Sequence, residues 1–328
     1  MHSIFGKSIA WVALACLMSG CERPNGAPRT PGAATEDASG VQPALPELHE
    51  LKNVAYRGLE GITTPVNLVD GLWQGEPFSP GGVSRPVVQF VRDFQFVGDL
   101  DDDGKAESVV LLGESSGGTG EWIHLAVVAR RGTELVNVAT IRLGDRIQVR
   151  AARIEAGQIV LEILQAGPND AMCCPGELAT RAWELHGTTL RELPSATPPR
   201  RLGLQTLSGT EWVLRWWGWT ESAPQAPEVT LRFADGQFAG TGGCNRYFAK
   251  ASAGPMVGDV EVGNAGATMM ACAEPAASVE TRFLRQLQGV KKFGFVATQL
   301  ALTYEKDGRL ETMLFSGRAP SEGPRAAP

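Results

Sequence analysis

No histidine follows His186 in this 328-residue chain, and neither a Walker loop, a dinucleotide-binding fingerprint nor an H-E-x-x-H helix occurs in it. Phosphate-loop nucleotide chemistry, Rossmann-type cofactors and helical zinc-protease sites are therefore not expected. Positive charge is scarce as well. The 30 Lys and Arg residues are outnumbered by 36 Asp and Glu, for a net charge of -6, and a chain without clustered cations is a poor partner for nucleic acid. After residue 21 no run is apolar enough to cross a bilayer, which takes about 20 residues. Against those absences, 43% of the residues are hydrophobic, enough to build real cores, and the length suits two domains.

The first 21 residues carry a cation at Lys7, an apolar run from Ile9 to Met18, two small residues and Cys21, the layout of a secretory signal. "LMSGC" resembles the lipobox of bacterial lipoproteins, although Met18 stands where leucine is usual. The resemblance implies cleavage before Cys21, which takes fatty acyl groups such as palmitate and anchors the chain to a membrane. Glu22 is not the aspartate that goes with retention at the inner membrane, so the same resemblance implies the outer membrane, with the chain facing the periplasm. Residues 22–46 are rich in Pro, Gly, Ala, Thr and Ser without apolar periodicity and read as a disordered tether.

"PSATPPRR", Pro194 to Arg201, sets the internal boundary. We take 47–193 as a β-rich domain, 194–206 as a linker, 207–317 as a second domain and 318–328 as a disordered tail. Across the first domain short Val, Ile and Leu runs alternate with turn residues ("SVVLL", "WIHLAVVAR", "QIVLEIL"), which predicts an antiparallel β meander, as a sandwich or barrel. The second domain predicts α+β: hairpins turning at Asp235-Gly236 and Asp307-Gly308, and one helix that aligns Val279, Phe283, Leu287 and Val290, with Pro275 at its start and Gly289 at its end.

"GTEWVL", "FAGTGGCNRYFAK", "TMMACAE" and "VETRFLRQL" fall in the order and spacing of the signature blocks of the META domain, and this third of the chain resembles the HslJ-like family of heat-inducible bacterial lipoproteins. The resemblance implies a curved sheet with one helix, and a role in envelope stress, tolerance of hydrophobic antibiotics, or secretion and motility. It implies no reaction.

An exported chain meets an oxidising compartment, so cysteines there pair by default. Cys244 and Cys272 are alone in their domain and are expected to bridge, closing a loop of roughly 30 residues for about 3 to 4 kcal/mol. The alternative, a catalytic Cys244 thiolate, lacks a neighbouring histidine. Adjacent Cys173 and Cys174 leave three readings open: a strained vicinal disulfide that stiffens a loop, a soft-metal thiol pair, or bridges to other chains. We expect the structural one.

Asp99, Asp101, Asp103 and Glu107, with Gly104 between, follow the D-x-D-x-D-G pattern of a short calcium loop, although Val110 stands where an EF-hand would have its closing Glu. The same residues also suit any exposed turn. Ser115 in "GESSG" matches the nucleophile-elbow pattern, but a glycine loop and a strand follow it in place of a helix. Trp216, Trp217 and Trp219 are either core or a binding surface; in an extended strand Trp216 and Trp217 face opposite ways. The expectation is thus a noncatalytic outer-membrane lipoprotein that binds or scaffolds an envelope protein or hydrophobic ligand, with calcium as the one candidate cofactor. The alternative is an envelope hydrolase or thiol-redox protein using Ser115 or Cys173 and Cys174.

Overall fold

The computed structural model describes residues 45–171 and 173–319; the lipobox at Cys21, nearly all of the tether and most of the tail lie outside them. Contacts place the described residues in one compact unit. It is mostly antiparallel β, as the sequence predicts.

After a short helix α1 (Leu48–Leu51) and a small ladder of β1 (Ala55–Tyr56) and β2 (Val66–Asn67), five strands pair in chain order: β3 (Leu72–Gln74), β4 (Val87–Gly98), β5 (Glu107–Ser115), β6 (Trp122–Arg131) and β7 (Glu134–Asp145). Strand β5 is buried on both faces, which is why apolar residues run unbroken from Val109 to Leu112 at its centre. Val109 and Leu111 point to one core, while Val110 and Leu112 point to a second one under α1, β1 and β2. A second meander of β8 (Gln148–Glu155), β9 (Gln158–Gln165), β10 (Glu177–His186) and β11 (Thr189–Leu193) covers the first core with Ile159, Leu161, Ile163 and Trp183.

The expected linker is a docked segment. Arg200 and Arg201 form β12 (Arg200–Arg201) against Leu178 and Glu177 of β10, and a 3-10 turn, Leu204–Leu207, buries Leu204 and Leu207. The C-terminal part is a nearly closed barrel of β13 (Glu211–Trp216), β14 (Thr230–Ala234), β15 (Gln237–Thr241), β16 (Arg246–Ala253), β17 (Val260–Val262), β18 (Gly266–Ala267), β19 (Val290–Val296), β20 (Gln299–Lys306) and β21 (Arg309–Arg318). Its two ends approach where Asp259 bridges to Lys292. Both expected hairpins form, with positive φ at Asp235, Gly236, Asp307 and Gly308 as a two-residue turn of this hand requires. Helix α2 (Ala276–Gln288) follows Pro275 and stops at Gly289, and it seats Phe283 and Leu287 fully in the barrel core.

The two parts share packing and hydrogen bonds. Leu164 of β9 joins the barrel core, and Ala297, between β19 and β20, packs against the first core. Gln148 Oε1 accepts the Phe295 N–H at 2.8 Å, Val149 O accepts the Thr298 N–H at 2.9 Å, and Thr206 O accepts the Arg150 Nη2 donor at 2.8 Å. Ala297 and Thr298 form their turn with φ of 48° and 68°, both in the left-handed region that L side chains rarely enter. Such strain persists only where surrounding contacts hold it.

Candidate functional site

Strand β4 is interrupted between Phe90 and Gln95, where its pairing with β5 shifts register. In that bulge Arg92 adopts φ 41°, again left-handed. A bulge re-aims side chains, and this one sends the Arg92 guanidinium across to the barrel. Its centre lies 5.0 Å from the Trp216 ring and 5.6 Å from the Trp219 ring, and Nη1 donates to the Trp219 carbonyl at 3.2 Å. Burial lowers the Arg92 pKa from its usual value, against the opposing pull of Asp93, but a guanidinium remains charged. Arg92 makes no ion pair among the described residues, since neighbouring Asp93 is held by Lys52 Nζ at 3.0 Å.

Beneath this contact runs a cleft of about 590 Å³ between the two parts, walled by Phe90, Val91, Leu111, Ile123, Phe295 and Trp219, with Cys173 and Pro175 at one side. The volume falls in the range of about 300–1,000 Å³ typical of small-ligand pockets, which are mostly apolar with few polar groups and often lie between domains. The expected aromatic group is therefore divided. Trp217 is buried, with Arg282 stacked 4.4 Å over it, whereas Trp216 and the 56% exposed Trp219 both meet Arg92 and Trp219 lines the cleft.

Within the barrel the "GGCN" turn is pinned. Cys244 and Cys272 are joined, their Cα atoms 6.2 Å apart. Asn245, nearly buried, donates from Nδ2 to Glu280 Oε1 at 3.0 Å and to the Met270 carbonyl at 3.3 Å, and its Oδ1 accepts the Met270 N–H and the Thr268 hydroxyl, each at 2.8 Å. Its own N–H goes to Glu280 Oε2. Gly242 and Gly243 let α2 approach, since a side chain at Gly242 would meet Glu280 at about 3.0 Å and Gly243 has φ 113°. Tyr247 packs edge-on against Phe283 at 5.1 Å. Three of the four blocks, separate in the sequence, thus meet around one asparagine.

The C-terminal third of the chain is a META domain. Its family model matches residues 205–316, which contain all four blocks. An NMR structure of a protein from Burkholderia xenovorans is similar at 22% identity and TM-score 0.27, covering 38% of this chain and 99% of that one. No curated protein matches. Residues 45–204 lie outside that match, so their reading rests on their own geometry.

Outside the META domain, Cys173 and Cys174 are free thiols, with Sγ atoms 2.7 Å apart and unbonded. This corrects the expected vicinal disulfide. Bonding would need about 2.05 Å and a distorted peptide between adjacent residues. The Cys173 hydrogen bond, followed by burial, raises the Cys174 pKa, so this thiol is less ready to ionise than an ordinary one.

In the acidic loop Asp99, Asp101 and Glu107 place carboxylate oxygens within 4.8 Å of one another. Asp103 stands apart, accepting the Lys105 N–H at 2.8 Å and pairing with Lys105 Nζ at 3.3 Å. Asp99 Oδ2 accepts the Gly104 N–H at 2.9 Å, but the buried Asp99 Oδ1 has no hydrogen-bond partner among the described residues. Glu107 is 4% exposed, and burial, then Asp101, Asp103 and Asp99, push its pKa up. A hollow of about 840 Å³ adjoins the loop, walled partly by Leu45 and Pro46 at the edge of the described residues.

Ser115 ends β5, and its hydroxyl accepts the Gly117 N–H at 3.3 Å. His124 pairs across from Leu112 and therefore faces the opposite side of the sheet, where its Nε2 lies 2.7 Å from Glu114 Oε2. No hydrogen bond links Ser115 to a histidine among the described residues, and β6 rather than a helix follows. Sequence reasoning missed Arg92 and the cleft; the run "VQFVRDFQF" reads as plain strand, and its one signal is an arginine amid apolar residues.

Proposed function

We propose that this chain is a noncatalytic lipoprotein of the outer membrane, anchored through acylated Cys21 and facing the periplasm. Its β domain and META domain together form one binding module, for an envelope protein or a hydrophobic ligand, in stress response, antibiotic tolerance or secretion. The observation that carries the binding reading is the apolar cleft at the seam, roofed by Arg92 on Trp216 and Trp219. The lipobox resemblance and tether support the anchoring.

The test is complementation of a strain lacking the protein and scored on hydrophobic antibiotics. The wild-type chain restores growth, Cys21→Ser leaves the protein in the soluble fraction, and Val296→Trp, which fills the cleft, fails to restore growth at normal protein level. Full rescue by the filled cleft would refute the binding role of this seam.

The same reading places a calcium ion on Asp99, Asp101 and Glu107, supported by the unpartnered Asp99 Oδ1 and the mutual proximity of the three carboxylates. For an extracellular-type site with Kd about 1 mM, 10 mM calcium adds about 1.4 kcal/mol of stability. A thermal midpoint indifferent to calcium, or a shift that survives Asp99→Asn, contradicts that placement. A second reading, thiol-redox chemistry, is favoured by the free Cys173 at the cleft wall; it requires loss of rescue by Cys173→Ser.

A further inference from the structure

The geometry points to the occupant of the seam cleft being a small amphiphile with an anionic head, a carboxylate or its equivalent, whose apolar chain lies between the β domain and the META domain. This rests on the binding role given to the cleft and names the ligand class.

The apolar part follows from the walls. Phe90, Leu111, Ile123 and Phe295 belong to the interior of the protein, each at most 8% exposed, and the cleft reaches down to them. Trp219, which is half exposed, closes one side. Apolar surface lining a hollow of this size gains about 25 cal/mol for each Å² removed from water, and a hydrocarbon chain supplies such cover.

The anionic part follows from Arg92. It is partly buried, stacked on two indoles and bonded once to a carbonyl, so most of its five donors have no acceptor among the described residues. A desolvated cation without a carboxylate is costly unless something pairs with it. Asp93 is paired with Lys52 and Asp145 with Arg146, and the cleft wall itself carries two arginines, Arg92 and Arg146, against one acid, Glu121. The strained φ at Arg92 on one wall and at Ala297 on the other shows that the surrounding structure holds both sides of the cleft in unfavourable backbone states. A fork-shaped donor set matches the two oxygens of a carboxylate. A cationic head would meet Arg92 and be repelled.

The experiment uses the full chain bearing Cys21→Ser, so that no acyl group of its own competes. Titration calorimetry compares dodecanoate, dodecyltrimethylammonium and inorganic phosphate, each amphiphile below its micellar concentration. Dodecanoate is expected to bind one to one, while the cationic amphiphile and the bare phosphate do not. Arg92→Gln is expected to weaken dodecanoate about 10- to 100-fold, the loss of one charge-assisted contact, with Arg92→Lys in between. Because Arg92→Lys keeps a cation in place, it guards against a folding artefact. Binding of both amphiphiles alike, no binding by either, or an unchanged affinity in Arg92→Gln overturns the inference. If dodecanoate fails yet Val296→Trp still abolishes rescue, the ligand class is wrong and the binding role of the seam stands.

Discussion

Asn245 is engaged through every side-chain hydrogen-bonding atom it has. Its Nδ2 serves Glu280 and Met270, and its Oδ1 takes Met270 and Thr268. Replacing it by alanine removes the partner of the Met270 N–H, the Thr268 hydroxyl and the Glu280 carboxylate at once, at about 1–3 kcal/mol for each group left both unpaired and out of water. Asn245→Ala is expected to lower the denaturant midpoint markedly even with the Cys244–Cys272 bridge intact, and an unchanged midpoint would remove Asn245 from the centre of the META domain. The sequence shows an asparagine beside two glycines and a cysteine, which suits a turn, but its partners lie 23 to 35 residues on, beyond any local pattern.

His124 is the opposite case. Nothing in "WIHLAVVAR" marks it, yet it is fully buried with its Nε2 2.7 Å from Glu114 Oε2. Burial lowers its pKa to about 4 from 6.5, and burial also raises that of Glu114. Between pH 6.5 and 4 the unfolded histidine binds a proton that the folded one refuses, so its contribution to stability is lost as pH falls through that window. Glu114 works the other way, losing stability as pH rises above its ordinary range. Acidification from 6.5 towards 4 is therefore expected to destabilise the wild type relative to His124→Gln, read by urea midpoints at each pH. Parallel midpoints for the two proteins would mean that His124 titrates normally.

Helix α2 shows how the elements divide the labour. Its apolar stripe was visible at helical spacing, and Phe283 and Leu287 occupy the positions that spacing assigns. Phe283 touches Tyr247 and is 0% exposed, so Phe283→Ala is expected to cost about 3–5 kcal/mol. A loss under about 1 kcal/mol in chemical denaturation would mean that the helix is not the barrel's lid. Hairpins at Asp235-Gly236 and Asp307-Gly308 were equally legible, since few residue pairs accept two positive φ angles. The β4 bulge and the Ala297-Thr298 turn were not. Both use residues that disfavour such angles and are held there by contacts from distant segments, which no local pattern records. The proline stretch misleads for a related reason: Pro194–Arg201 has a spacer's composition, but Arg200 and Arg201 find edge donors and acceptors on β10.

At the scale of the molecule the decisive contacts join residues remote in sequence. Arg92 meets the Trp219 carbonyl across 127 positions, and Gln148 meets Phe295 across 147. Each half displays its own fold in its sequence, but the cleft exists only once both are folded and docked, so it could not be read from either. The META match likewise accounts for residues 205–316 while the seam draws equally on the unmatched part. A module whose site lies between two folds should respond to ligand on both sides together.

Hydrogen exchange of the full Cys21→Ser chain, with and without dodecanoate, tests this most directly. Protection is expected together in four segments, around 89–97, 173–175, 215–220 and 293–299, with little change near Asn245 or the acidic loop. Protection confined to one domain, or to neither, would contradict a binding site built at the seam.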